Sequence, residues 1–296
     1  KRLARLDLDL SNTKEFQQPN FFDLLTHLNK LQELNINLSQ NNFEDLAIQQ
    51  FFSKLSELKS AQELNFKFDF CSQMADTRKF LLFNELCQLP QLQRLHLSFD
   101  SCSQITDGSL RYLSRSLSKL QNITTFHINL NNLGRISSEG FNQITSALNN
   151  YRYCQSLEIL LRNCSKICST SILKLAEILE NKKNLKSLSF DFGGCRLISN
   201  QAFERIIVAI AKLKELDTLK LILQNAYELE DESIRKINQV FHELKNLKEI
   251  NLDFSYCPKI SSTSVGNLNR YIMQNKQSFT KVEIDCYGCP DITTYE

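Results

Sequence analysis

The sequence predicts an α/β solenoid of about ten repeats, with parallel strands on its concave face and helices on its convex face. Three observations carry this expectation. One phrase returns at a nearly constant interval along the whole chain. Within each return, apolar residues alternate with a period of two and then switch to helical spacing. The composition is that of a chain with an ample core and no membrane-length apolar run.

The period comes first, because missing it would misread everything else. LQELNINL (31–38), LQRLHLSF (92–99), LKSLSFDF (185–192) and LKEINLDF (247–254) are variants of one phrase. Its first residue falls at Leu3, Leu31, Ala61, Leu92, Ile123, Cys154, Leu185, Leu216, Leu247 and Phe279. The successive spacings are 28, 30, six of 31 and a last one of 32, so ten rungs cover the 296 residues. Positions below are offsets from those first residues.

Each rung opens as a strand. Offset +3 is apolar throughout, from Leu6 and Leu34 to Ile250 and Val282. Offsets +5 and +7 are apolar as well, as in Phe66 and Phe68 or Leu252 and Phe254. Polar residues between them complete the period of two of a strand buried on one face. At +13 an apolar residue returns (Ile105, Ile136, Ile167, Ile198, Leu229, Ile260, Ile292), commonly followed by Ser or Thr, as in Thr106, Ser137, Ser199 and Ser261. A hydroxyl there is a good helix N-cap, because its oxygen takes an otherwise unpaired backbone N–H. The spacing then becomes helical: Leu110, Leu113, Leu117 and Leu120 in one rung, and Phe203, Ile206, Ile210 and Leu213 in another, each form one stripe. A strand–turn–helix unit cannot bury its own apolar face, but stacked units share a continuous core.

The pattern resembles the leucine-rich repeat family, LxxLxLxL followed by Cys or Asn and then a helix, over residues 3–296. CSQITDGSL (102–110), CPKISSTSV (257–265) and CPDIT (289–293) resemble the cysteine-containing class found beside F-box domains. The long rungs are also similar to ribonuclease-inhibitor-type repeats and to the expanded leucine-rich families of ciliates. This resemblance implies a single repeat domain over 1–296, cut from a longer chain, since Leu3 begins a strand at once and Glu296 falls inside a rung.

The ten cysteines raise the question of chemistry. Six of them occupy offset +10 (Cys71, Cys102, Cys164, Cys195, Cys257 and Cys289), while Leu133 and Ala226 fill the same offset without a ligand atom. Register therefore reads them as small buried hydrophobes, reduced in a cytosolic compartment. Cys286 and Cys289 form a lone CxxC with no second pair, which falls short of a zinc site. His96, His127 and Glu158 share offset +4, but side chains from parallel strands point in parallel and do not converge on a metal. No Walker loop, GxGxxG or nucleophile–histidine set is present, and the three Asn-X-Ser/Thr sequons at Asn37, Asn122 and Asn163 have meaning only in a secreted protein. The expectation is no catalytic residue, no metal and no cofactor.

A net charge of +2, with scattered Lys and Arg, gives no basic surface for nucleic acid or an anionic membrane. The partner expected is a protein or peptide, with the chain a subunit of a larger assembly in the cytoplasm, cytoskeletal or ciliary. Offset +6 supplies the candidate site. Leu160 and Ile222 are apolar where the pattern wants polar residues, with Asp191 between them, Asp253 beyond and Arg162 beside Leu160. Apolar knobs with a charged rim resemble an interface anchor. The resemblance adds two alternatives to a plain interaction scaffold: the substrate-recognition half of an F-box ubiquitin ligase, and a GTPase-activating protein of the Ran-activator type.

Overall fold

A computed structural model describes residues 3–14, 18, 20–42, 45–74 and 80–290. Ile292 and the end of the 289–293 phrase lie outside them. The chain falls into two compact units, Lys1–Cys154 and Gln155–Glu296. The first holds strands β1 Arg5–Asp9, β2 Glu33–Asn37, β3 Glu63–Lys67, β4 Arg94–Ser98 and β5 Thr125–Asn129. With them are helices α1 Asp45–Leu55, α2 Asp107–Leu117 and α3 Ser138–Ala147. The second holds β6 Ser156–Leu160, β7 Ser187–Asp191, β8 Thr218–Ile222, β9 Glu249–Asp253 and β10 Lys281–Asp285. It also holds α4 Ser169–Leu179, α5 Asn200–Ile210, α6 Asp231–Glu243 and α7 Ser262–Gln274. Within each unit consecutive strands pair in parallel, in chain order, and in the register of the offsets: Leu64 faces Leu95 and Leu188 faces Leu219. Each unit is an α/β solenoid of leucine-rich-repeat type.

Burial follows the two periods. Leu64, Phe66 and Phe68 of the third rung have no exposed surface, nor do Leu188 and Phe190 of the seventh. The helix stripes meet them from one side: Leu110, Leu113 and Leu117 of α2, and Phe203, Ile206 and Ile210 of α5, are buried. The expected caps form, with Ser137 accepting from Glu139 N–H, Ser199 from Ala202 N–H and Ser261 from Ser264 N–H.

Every rung turns off its strand in the same way. The residue at +9 has a left-handed backbone in all ten: Asn12, Gln40, Phe70, Ser101, Asn132, Asn163, Gly194, Asn225, Tyr256 and Gly288, with φ between 51° and 75°. In several rungs the side chain of the next residue then reaches across to the preceding rung. Cys71 donates its S–H to Leu38 C=O at 3.3 Å, Cys102 to Phe68 C=O at 2.9 Å, Cys195 to Leu161 C=O at 3.1 Å, and Cys257 to Leu223 C=O at 3.2 Å. Asn41 does the same through its amide, to Leu10 C=O at 2.7 Å. The six +10 cysteines are all buried, as their register requires, and burial pushes the Cys257 thiol up to about 12.

A second set of bonds ties the helix starts together. Asp107 accepts from both N–H and O–H of Ser137, at 2.7 and 2.6 Å, one rung on. Ser169 receives the N–H of Ser199 at 2.8 Å, and Asn200 receives that of Glu230 at 3.0 Å. Asp231 accepts from Ser261 N–H at 2.8 Å and from the Ser264 hydroxyl at 2.6 Å. Burial alone would raise the Asp231 carboxyl, but these bonds outweigh it and hold it below its ordinary range.

Two returns differ from a plain α-helix among the described residues: the first rung runs through a 3₁₀ segment, Phe21–His27, and in the third the α-helical Phe80–Leu81 passes into a 3₁₀ segment, Leu82–Gln88. The first rung is only 28 residues long, and a 3₁₀ turn climbs about 2.0 Å per residue against 1.5 Å for an α-helix, so fewer residues span the return. In the third, Pro90 follows Leu89, whose backbone is extended (φ −99°, ψ 95°) as a residue before proline prefers. Phenylalanine fills these rungs: Phe22–Phe51, Phe52–Phe83 and Phe68–Phe99 stand 4.8, 4.8 and 5.5 Å apart between ring centres. Among the described residues no helix is long and apolar enough to cross a membrane.

Candidate functional site

The face of each sheet opposite its helices carries offsets +2, +4 and +6. In the second unit it places the predicted row as expected: Leu160 pairs with Asp191, Asp191 with Ile222, and Ile222 with Asp253. The environment of that row differs from the expectation. Asp191 is 6% exposed, Ile222 7% and Asp253 9%. Ile222 is therefore no protruding knob. Strands about 4.8 Å apart set +6 side chains shoulder to shoulder, so neighbours in the row shield one another. Leu160 and Arg162 keep partial exposure.

The two acids have structural work of their own. Asp191 accepts from Gly193 N–H at 2.9 Å through one oxygen and from Arg162 Nε at 2.9 Å through the other. Asp253 accepts from Ser255 N–H at 2.9 Å and from the Gln224 amide. The same bond from +6 to the N–H at +8 recurs at Asp9, Asn37, Asn129 and Asp285. An Asp or Asn side chain that bonds the backbone two residues ahead closes a local turn. Here it braces the corner where the chain leaves the strand.

The offset +4 histidines of the first unit stack edge to face, 4.4 Å between ring centres. His96 Nε2 stands 3.6 Å from Glu63. Burial pushes His127 down to about 4, with the charge of Glu63 opposing this only in part. In the second unit Glu158 accepts from the Ser189 hydroxyl at 2.9 Å. Cys289 donates to Phe254 C=O at 3.1 Å, so the lone CxxC enters the rung-to-rung ladder through its second cysteine. Among the described residues no group of three or more His, Cys, Asp or Glu has the arrangement of a metal site.

A groove that sequence reasoning missed crosses β1–β3 on the open sheet face, with a volume of about 560 Å³. Its walls come from three rungs at matching offsets: Arg5, Glu33 and Glu63, then Asp7, Asn35 and Asn65. Arg5 bridges Asp7 and Glu33 at 2.9 Å each, and Asn35 donates to Asp7 at 2.6 Å and to Glu33 at 3.0 Å. Hydrogen bonds from Arg5 and then Asn35 hold the Asp7 carboxyl below its ordinary range. The groove is thus lined by polar groups that bond one another along and across rungs. The signal was present in the sequence as mixed charge repeated at +2 and +4, but it obeys the polar pattern and so does not stand out.

Two outcomes test this geometry. Ile222→Ala should cost about 2–5 kcal/mol, because it removes a buried aliphatic side chain, whereas Leu160→Ala should cost clearly less because Leu160 keeps partial exposure; urea unfolding measures both, and equal costs would contradict the burial. For His127, a folded value of about 4 lies below the ordinary 6.5. The unfolded chain binds that proton first as pH falls, so stability is lost between about pH 6.5 and 4 and not above. The His127 ring signal should titrate near pH 4 by NMR, and a midpoint near 6.5 would show the ring to be solvated.

Among solved structures, the chain is similar to the tropomodulin C-terminal domain of Caenorhabditis elegans, with 16% identity and a TM-score of 0.42 over 57% of this chain and 93% of that one. It is also similar to the Rad7 and Elc1 complex of yeast, with 16% identity and a TM-score of 0.47 over 82% of this chain and 68% of that one. No protein-family model matches the chain, and no curated protein does.

Proposed function

We propose that the chain is a non-enzymatic interaction scaffold whose open sheet faces bind a protein or peptide partner. The observation that carries this reading is the β1–β3 groove. It is about 560 Å³ in volume and open to solvent, and its charged and amide groups are aligned rung by rung on the paired strands. Side chains held by neighbours lose little further freedom when a partner binds, which lowers the cost of association. Asp7, Asp9, Glu33 and Glu63 outnumber Arg5 and Lys67 along it, so a segment carrying Lys or Arg complements it best. In the second unit Leu160 and Arg162 extend the same use of the sheet face, with Asp191, Ile222 and Asp253 as their support.

A photo-cross-linking residue placed at Asn65, inside the groove, should capture the partner in cells, whereas one at Arg111 on the exposed side of α2 should not. The double change Asn35→Arg and Asn65→Arg should then reduce capture at a third groove position, Lys67, by about tenfold, the loss of an interface contact worth roughly 1.4 kcal/mol. Capture at Arg111 alone would move the interface to the helices and contradict the proposal.

A further inference from the structure

The loops that leave β6, β7 and β8 form a second, smaller and open pocket of about 300 Å³, lined by Asn163, Ser165, Gly194, Arg196 and Asn225. These residues are offsets +9 and +11 of three consecutive rungs, so the pocket is a product of the stack. Gly194 keeps it open. Its backbone is left-handed (φ +75°), and a Cβ there would stand 2.4 Å from Asn163 Oδ1.

Three of the pocket's side chains, Arg196, Ser165 and Asn225, have donors to offer. Arg162, Arg205 and Arg235 of the same unit are each ion-paired with a carboxylate. Among the described residues Arg196 has no such partner, and the side chains of Ser165 and Asn225 make no hydrogen bond. Instead the Arg196 guanidinium lies 4.9 Å from the ring centre of Tyr227, one rung on. Stacking on an aromatic face fixes the plane of the fork and leaves its N–H edge free for an anion. Lys166 is exposed nearby in sequence. The acids of the adjoining loop, Glu228 and Glu230, are engaged by Lys259 at 2.7 and 3.7 Å.

We infer that this pocket binds a phosphate group carried on a side chain of the partner protein. A phosphomonoester offers three strong acceptor oxygens and nearly two negative charges. That matches a planar guanidinium, a hydroxyl and an amide drawn from three rungs, and its greater charge and third oxygen set it apart from a carboxylate. The inference rests on the reading of the chain as a protein-interaction scaffold, but it concerns the loop edge and not the groove.

The test is a titration of the isotope-labelled full chain, followed by NMR at the Gly194 amide and Arg196 Nε. The probes are a phosphoserine heptapeptide, its glutamate counterpart and inorganic phosphate. The phosphopeptide should give saturable shifts at both signals. Arg196→Gln should weaken binding about tenfold or more, and Arg196→Lys should restore only part of it because the fork is lost. Any of three results would overturn the inference: no saturable shift, equal binding of the glutamate peptide or inorganic phosphate, or unchanged binding by Arg196→Gln. Cross-linking through Asn65 is scored separately, so failure there bears on the scaffold reading and failure here on the pocket alone.

Discussion

Everything in this fold follows from one backbone constraint: at offset +9 each rung must leave the strand through a left-handed residue. That single reversal ends every strand at five residues. It also turns the +10 side chain inward, where it meets the carbonyl of the rung before. An extended strand would have continued past that point, leaving the +10 thiols and the Asn41 amide without the acceptors they now use. Left-handed backbone costs a residue other than glycine roughly 1–2 kcal/mol, and the structure accepts that cost at Phe70 and Tyr256, both bulky. The compensation is local: at Tyr256 Asp253 accepts the Ser255 N–H and Cys257 donates to Leu223 C=O, and at Phe70, where +6 is Lys67, Ser39 accepts the Asp69 N–H and Cys71 donates to Leu38 C=O.

The helix side has a matching device. The first helical residue of one rung accepts from the cap residue of the next, as Asp107 does from Ser137 and Asp231 from Ser261. Two ladders therefore flank the core of each unit, one at the strand exit and one at the helix entry. The core between them absorbs variation in the return path. Where that path is a 3₁₀ segment, phenylalanine rings such as Phe52 and Phe83 fill the space.

The rungs, their register and the buried stripes were legible in the sequence, because apolar periodicity is imposed by burial, and the strands of the second to ninth rungs are buried on one face while the two outer strands keep the same pattern. The corner was not. Asn, Gln, Phe, Ser, Gly and Tyr all occupy +9, so the backbone requirement leaves no residue signature. The cysteines were placed correctly as buried, but their donation to the preceding rung depends on which way the corner turns. Asp191 and Asp253 were read as an interface rim, yet Asp or Asn recurs at +6 in Asp9, Asn37, Asn129 and Asp285. That recurrence marks a backbone role, which the apolar exceptions Leu160 and Ile222 obscure in the sequence. The β1–β3 groove escaped notice for the opposite reason, since nothing in it departs from the pattern.

Because the corner is the common element, the most direct measurement isolates it from side-chain contacts. Gln40 is exposed, has φ 60° and makes no side-chain hydrogen bond, and its N–H bonds Asp69 C=O at 2.7 Å. Urea unfolding of Gln40→Gly and Gln40→Val compares a residue at ease in that conformation with one excluded from it. The glycine variant should match or exceed the parent by up to about 1 kcal/mol, and the valine variant should lose about 1–2 kcal/mol or more. Equal stability of the two variants would contradict the claim that a left-handed corner governs the fold.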